Sequence, residues 1–316
     1  MEVAAGDWNA LLARLGLGDV YLTREYVESA CLLEPGAATF LHAEGTVFPL
    51  ILREFEGRRD VVTPYGYGGP VAAPGGDAPG FYEAYEQWCR DRAVVSSFVR
   101  FHPLYENHRY APVHIDLLGG TIAWRLRGDD LFERLHSHHR RVIRKAQRAG
   151  LEVDVQEGPD LGEFAALYER TMARLAADSF YLFTAEYWAS LAALPTVLVD
   201  VRRGGELAAS VLCFASEPWL HYHLGASSEE GRSLGASNLA LFETARWARQ
   251  SGYELLHLGG GVGGRADSLY EFKRRFDPGG AREFAVGKAI HDEDAYRALA
   301  GGVGLDGFFP AYRARA

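Results

Sequence analysis

The 316-residue chain has no run of about 18 apolar residues, so no membrane-spanning helix is expected. Cysteine is scarce. Cys31, Cys89 and Cys213 stand far apart and none forms a CxxC pair. Three thiols cannot all pair within one chain, which fits free cysteines in a reducing compartment and a cytoplasmic protein. The N-terminus, MEVAAGDWNALLARLG, lacks the basic-then-apolar order of a secretory signal. HExxH is missing, and no Cys/His spacing fits a metal site. His136, His138 and His139 crowd together, but adjacent helix positions point apart, so no metal is expected there. GxSxG and a Cys/His pair are missing too, so no side-chain nucleophile stands out. A net charge of −9 and a pI near 5.7 argue against a broad nucleic-acid-coating surface. One local basic patch remains compatible with that charge.

The length predicts two domains of roughly 150 residues each. Helical periodicity predicts helices over 7–16, 22–33, 81–92, 129–150, 161–176, within 183–194, and over 237–250 and 292–299. Asp7 and Thr23 read as N-caps, Asp129 or Asp130 as the cap of the long helix, and Gly16 and Gly150 as stops. Strands are expected over 38–44, 46–54, 60–63, 95–102, 115–118, 121–126, 151–155, 196–202, 206–215, 218–225, 253–258 and 281–286. Pro49 either weakens the case for its strand or marks it as an edge. The fold class is therefore mixed α/β. Its expected parts are an N-terminal domain over 1–127, a connecting helix over 128–150, a C-terminal domain over 151–290 and a helical tail over 291–316.

Four stretches carry candidate chemistry. In TPYGYGGP, Tyr65 and Tyr67 alternate with glycines and either line a pocket or pack a rigid turn. In the long helix, Arg140, Arg141, Arg144, Lys145 and Arg148 follow one another without an acidic residue, and Arg140, Arg144 and Arg148 share a face. That face either binds phosphates of a nucleotide, cofactor or RNA end, or is a solvated surface paired with acidic neighbours. Arg232, Gly235 and Ser237 precede a helix whose N-terminus suits an anion. Finally, HLGGGVGGRADSLYEFKRRF joins a strand end, a glycine-rich turn and a cationic aromatic segment. It reads as a substrate cradle or as a surface loop, with the glycines bringing the backbone close to a ligand.

An Arg-x-x-Gly-x-small turn after a strand meander and before a helix resembles the GNAT acyltransferase fold, in which that loop cradles a pyrophosphate. LGG followed by DSLYEFKRRF is similar to the Fem-type aminoacyl-tRNA-dependent peptidyltransferases. TPYGYGGP, RRVIRKAQRAGLEV and YHLGASSEEGRSLGAS match in the same order, so the resemblance spans most of the chain. It implies two tandem GNAT-like domains in a compact form without the inserted helical hairpin. It further implies that aminoacyl-tRNA donates an amino acid to an amine acceptor, in peptidoglycan bridge or peptide natural-product synthesis. The resemblance maps the reactive lysine to Lys273 and the aromatic before it to Phe272, with Asp267 and Ser268 shaping the turn. It maps an acceptor-phosphate arginine to Arg174 and a channel tyrosine to Tyr222. His102 replaces an aspartate found in some members and is either a base for the attacking amine or a structural histidine. No counterpart exists for the early lysine that contacts a sugar diphosphate. The second reading is an acyl-CoA-dependent N-acyltransferase using Arg232, Gly235 and Ser237. On strand alternation, His221 and His223 should face away from Tyr222.

Overall fold

Helix starts and stops follow the capping chemistry of the sequence in the computed structural model, which describes residues 1–128, 130–302 and 304–314. Two compact units divide the chain: Met1–Leu118 with Glu283–Ala316, and Gly119–Arg282. The first begins with α1 (Ala5–Leu15), ended by Gly16 in the left-handed conformation. Its N-cap is Ala4, not Asp7, and no side chain caps it. Thr23 caps α2 (Arg24–Ala30), accepting the Tyr26 N–H. A meander of β1 (Ala37–Ala43), β2 (Thr46–Phe55) and β3 (Arg58–Val62) follows. Next come the short β4 (Val71–Ala72), α3 (Ala78–Asp91) and β5 (Val94–Arg100), which runs parallel to β3. β2 is not an edge, since β1 covers one side of it over residues 46–52. On its other side β4 pairs residues 46–47 and β3 pairs 51–55, so Pro49 falls in the interval neither covers. A missing N–H costs nothing there.

The two strands expected at 115–118 and 121–126 are one, β6 (His114–Arg125). Gly119 and Gly120 do not break it. The long helix expected over 129–150 is two: α4 (Leu131–Arg134), capped by Asp130, and α5 (Ser137–Arg148). Asp129 lies outside the described residues. The break at Leu135–His136 buries Leu135 in the core and lets His136 cap α5.

The second unit continues with β7 (Glu152–Glu157), α6 (Gly162–Leu175), α7 (Ala185–Ala192), β8 (Thr196–Arg203), β9 (Glu206–Ser216) and β10 (Trp219–Ser227). The stretch expected as a turn before the next helix forms α8 (Glu229–Leu234), capped by Ser228. Then come α9 (Ala236–Gln250), β11 (Leu255–Gly259) and α10 (Ser268–Arg274). β7 to β10 form an antiparallel meander, and β11 joins β10 in parallel. β12 (Ala281–Ile290) and α11 (Glu293–Ala300) close the chain, with Asp292 as cap.

From α6 onward the second unit follows the order of the first, which is two helices, three antiparallel strands, a helical segment, a parallel strand and a final antiparallel strand; it adds α4, α5 and β7 and has α8 and α9 where the first has α3. The final strands are exchanged along the chain. β6, which follows β5, completes the second unit against β11, whereas β12, which follows β11, completes the first against β5. The boundaries at 118/119 and 282/283 therefore differ from the expected 127 and 290, and α5 belongs to the second unit rather than to a connector. The core of the second unit gathers Trp124, Ile143, Leu239, Leu256 and Phe276, all fully or nearly fully buried. Trp8, Val27 and Ile51 anchor one core of the first unit, and Phe48, Phe81 and Phe101 another.

Candidate active site

The parallel pair at the centre of the second unit opens part-way along. β10 and β11 pair through Trp219↔Leu255, Leu220↔Leu256 and His221↔His257. Just beyond, β10 shifts register against β9 between Tyr222 and Leu224, and β11 shifts against β6 between His257 and Gly259. Bulges add twist and end pairing. Tyr222 sits at this point, with its ring over Gly225: a Cβ on Gly225 would lie 2.6 Å from the Tyr222 hydroxyl. The alternation expected for His221, Tyr222 and His223 holds up to the bulge: Tyr222 packs on the core that includes Cys213, whereas His221 and His223 share the face of Phe214. His221 lies Nδ1 to Nδ1 with His257 at 3.3 Å, and His257 reaches Thr121 at 2.9 Å. His223 stacks on Phe214, and burial pushes its pKa down to about 3.

Lys273 on α10 meets Tyr222 here. Only 5 % of it is exposed, its Nζ donates to the Gly260 carbonyl at 2.7 Å, and the ammonium lies 4.8 Å from the centre of the Tyr222 ring. Burial lowers its pKa to about 7, while Asp267 works in the opposite direction. The lysine is thus poised between charge states near neutral pH.

Asp267 builds the turn before α10. Its carboxylate accepts the N–H groups of Tyr270 and Val262, each at 2.9 Å. Burial raises its pKa, but these bonds outweigh it and hold the group below the ordinary value. Ser268 is the exposed first residue of α10. The glycines of the loop approach the chain's own backbone. A Cβ on Gly119 would stand 2.2 Å from the Gly264 carbonyl oxygen, and one on Gly260 2.6 Å from that of Gly120. The loop lies on β6 with no room for side chains between them. What the sequence read as access for a ligand is access for a neighbouring strand.

Two of the three crowded histidines, His136 and His139, satisfy helix ends. His136 accepts the His138 N–H at the start of α5, while its own N–H donates to the Arg275 carbonyl at 3.0 Å. His139 is 1 % exposed, and its Nε2 lies 2.9 Å from the Phe272 carbonyl oxygen. That carbonyl lacks its helical partner because the Phe276 N–H bonds to Lys273 instead. A carbonyl only accepts, so Nε2 carries the proton. Nδ1 then accepts from Asn238 Nδ2 at 3.1 Å. Burial pushes the His139 pKa down to about 4. Its folded pKa lies below the unfolded value near ~6.5, so the unfolded chain binds the extra proton between them. Stability from His139 is complete above about pH 6.5 and is lost as pH falls toward 4. Denaturant melts at pH 7 and pH 5 should show this loss in the wild type and a smaller one in His139→Gln.

Of the other expected residues, Phe272 is half-buried against the His139 and Phe276 rings at 5.1 and 5.4 Å. Arg174 donates to the Ser227 carbonyl at the end of β10, at 3.1 Å. Along α5, Arg140 binds the Glu133 carbonyl, Arg148 the Arg144 carbonyl and Lys145 the Ser233 carbonyl, the last at 2.7 Å. Arg232 is exposed in the last turn of α8, and Ser237 lies in the first turn of α9. Gly235 between them takes a φ of +84° and packs under α5, where a Cβ would meet the Val142 side chain at 2.4 Å.

His102, Tyr65 and Tyr67 belong to the first unit. His102 is fully buried, and its Nδ1 accepts the N–H groups of Leu104 and Tyr105 while Nε2 lies 3.4 Å from Asp19. Tyr67 packs edge-on against Tyr21, His102 and Phe284, and burial raises its hydroxyl pKa. The Tyr65 carbonyl accepts from the Tyr26 hydroxyl. His139 and Asn238 carried no motif. The signal that singles out Lys273 most sharply is scarcity: Lys145, Lys273 and Lys288 are the three lysines among 33 lysines and arginines.

Residues 134–274, within the second unit, match the family described as acetyltransferase (GNAT) domain. No curated protein sequence matches the chain. Among solved structures, FemX superposes with a TM-score of 0.68 at 12 % identity, covering 95 % of this chain and 99 % of its own. A structure described as the C-terminal domain of a lysylphosphatidylglycerol synthetase from Agrobacterium fabrum gives 0.61 at 16 % identity, with the same two coverages of 95 % and 99 %. L-PGS from Bacillus licheniformis gives 0.60 at 15 %, covering 90 % of this chain and 91 % of that one. At these identities the likeness concerns the fold: mixed α/β sheets in a tandem GNAT-like acyltransferase architecture.

Proposed function

We propose that the protein is an aminoacyltransferase that moves an amino acid from aminoacyl-tRNA to an amine and so forms an amide bond. The observation that carries this reading is the covered turn before α9. Val142, Lys145 and His139 of α5 engage Gly235, Ser233 and Asn238, so the place where an acyl-CoA pyrophosphate would lie is filled by the chain's own helix. The pairing of β10 with β11 ends instead beside Tyr222, over whose ring Lys273 lies.

The chemistry matches what these residues offer. The acceptor nitrogen attacks the ester carbonyl, the N–C bond forms and the C–O bond to the ribose breaks. The proton leaving the nitrogen ends on the departing ribose hydroxyl. The ester is already activated, so positioning supplies much of the rate, on the order of 7–11 kcal/mol in favourable cases. Charged Lys273 donates to Gly260, faces the Tyr222 ring and retains a hydrogen for the oxyanion that develops on the carbonyl.

The test is a transfer assay with a total aminoacyl-tRNA pool carrying labelled amino acids, run beside acetyl-CoA with the same amine acceptors. Label should move from tRNA to acceptor and should disappear after ribonuclease treatment. CoA should leave the melting temperature unchanged. Acetyl transfer from acetyl-CoA without tRNA would sink the reading in favour of an N-acetyltransferase.

A further inference from the structure

At the end of α9 remote from Lys273, α4, α5 and the last turns of α9 enclose an open cleft of about 860 Å³. Arg144, Arg246 and Arg249 line it beside the rings of Phe132 and Phe242. The two rings meet edge to face at 5.5 Å, and the Arg144 guanidinium lies 4.9 Å from the centre of the Phe132 ring. A guanidinium stacked on a ring keeps its in-plane N–H groups for an anion. Arg246 is held by the Glu243 carboxylate, and Arg249 is anchored on the Gly128 carbonyl at 2.9 Å. Asp130 is the carboxylate in the lining, and it is engaged in capping α4 through the Phe132 N–H at 2.7 Å. An arginine in the last turn of a helix suits its dipole, which accounts for Arg249 on α9. It does not account for Arg144 and Arg246, which precede the last turns of two different helices and line the same cleft, Arg144 being braced by an aromatic ring.

We propose that this cleft binds the single-stranded RNA next to the aminoacylated end of the donor, with the guanidinium groups on phosphates and a base against the aromatic wall. This rests on the aminoacyl-tRNA reading above. Guanidinium planes and aromatic faces around an open trough are the chemistry of single-strand recognition. Distance decides which part of the donor is held. Arg144 lies five residues beyond His139, about 7–8 Å along α5, and Arg246 and Arg249 lie about 12 and 17 Å along α9 from Asn238. His139 and Asn238 mark the Lys273 end of these helices. A ligand in the cleft is therefore a few nucleotides from the reacting ester.

The test reads binding without transfer. A 5′-fluorescein RNA minihelix ending in a deacylated single-stranded CCA is titrated by fluorescence anisotropy against the full chain. Arg144→Gln and Arg246→Gln should each weaken binding about tenfold and lower the salt slope by ~0.7 per lost phosphate contact. Both variants are compared at equal melting temperature, and Arg58→Gln, exposed in the first unit, should bind as the wild type does. RNA binding that ignores both substitutions, or that CoA displaces, overturns the assignment. Binding that depends on the arginines without any aminoacyl transfer supports the cleft and removes the transfer reading, so the two failures are distinguishable.

Discussion

Replacing Lys273 by alanine is expected to lower the rate of aminoacyl transfer by roughly 10²–10³, the loss found when one donor to a developing oxyanion is removed. The fold should survive, because a buried amine is a liability to stability. In the wild type the folded pKa of about 7 lies below the ordinary lysine value. The unfolded chain therefore holds the extra proton between about pH 7 and about pH 10.4, and stability rises with pH across that window. Lys273→Met should be more stable than the wild type by ~1–4 kcal/mol below pH 7, an advantage that shrinks as pH rises. Loss of activity together with gain of stability separates a functional lysine from a structural one.

The same titration fixes its role. If the ammonium stabilises the oxyanion, its contribution falls as pH rises through about 7. Arginine keeps its charge throughout, so the ratio of wild-type to Lys273→Arg rates should fall across this midpoint, and the acceptor's own titration cancels in that ratio. A ratio that climbs with pH makes Lys273 a general base instead. With three lysines in the chain, amine labelling read by mass spectrometry follows the Lys273 titration directly.

Gly119→Ala is expected to be the most disruptive single methyl in the second unit's site. The added Cβ would stand 2.2 Å from the Gly264 carbonyl oxygen, at a φ of +153° that side chains rarely adopt. Backbone cannot yield as a flexible side-chain tip can. A loss of ~2–4 kcal/mol combines overpacking with backbone strain. The effect should reach the chemistry. Displacing the glycine loop moves the Gly260 carbonyl, which holds Lys273. Denaturant unfolding should show the stability loss, and the labelling midpoint of Lys273 should move. An alanine variant as stable as the wild type would mean that the loop does not rest on β6.

Much of the fold was legible because its signals are local. Thr23, Asp130, Asp267 and Asp292 are caps whose side chains satisfy N–H groups two or three residues on. Gly204-Gly205 joins β8 and β9 as a hairpin because both glycines take positive φ. Periodicity failed where a distant contact overrode it. His136 begins a new helix because the chain needs Leu135 in the core and because the Arg275 carbonyl, far along the sequence, takes its N–H. Gly119-Gly120 read as a break, since nothing nearby shows that a loop more than 100 residues later will lie against them.

The sequence by itself determined the helices and strands that capping and periodicity encode and the mixed α/β class, and the resemblance it carries pointed to Lys273 and Tyr222. Only the tertiary structure decided that Lys273 lies over Tyr222, that His139 supplies the missing partner of the Phe272 carbonyl, and that α5 covers the turn at Gly235. The reason is physical. A cap or a turn is an interaction among residues a few positions apart, whereas a depressed lysine pKa arises from desolvation by groups that meet only when the chain has folded.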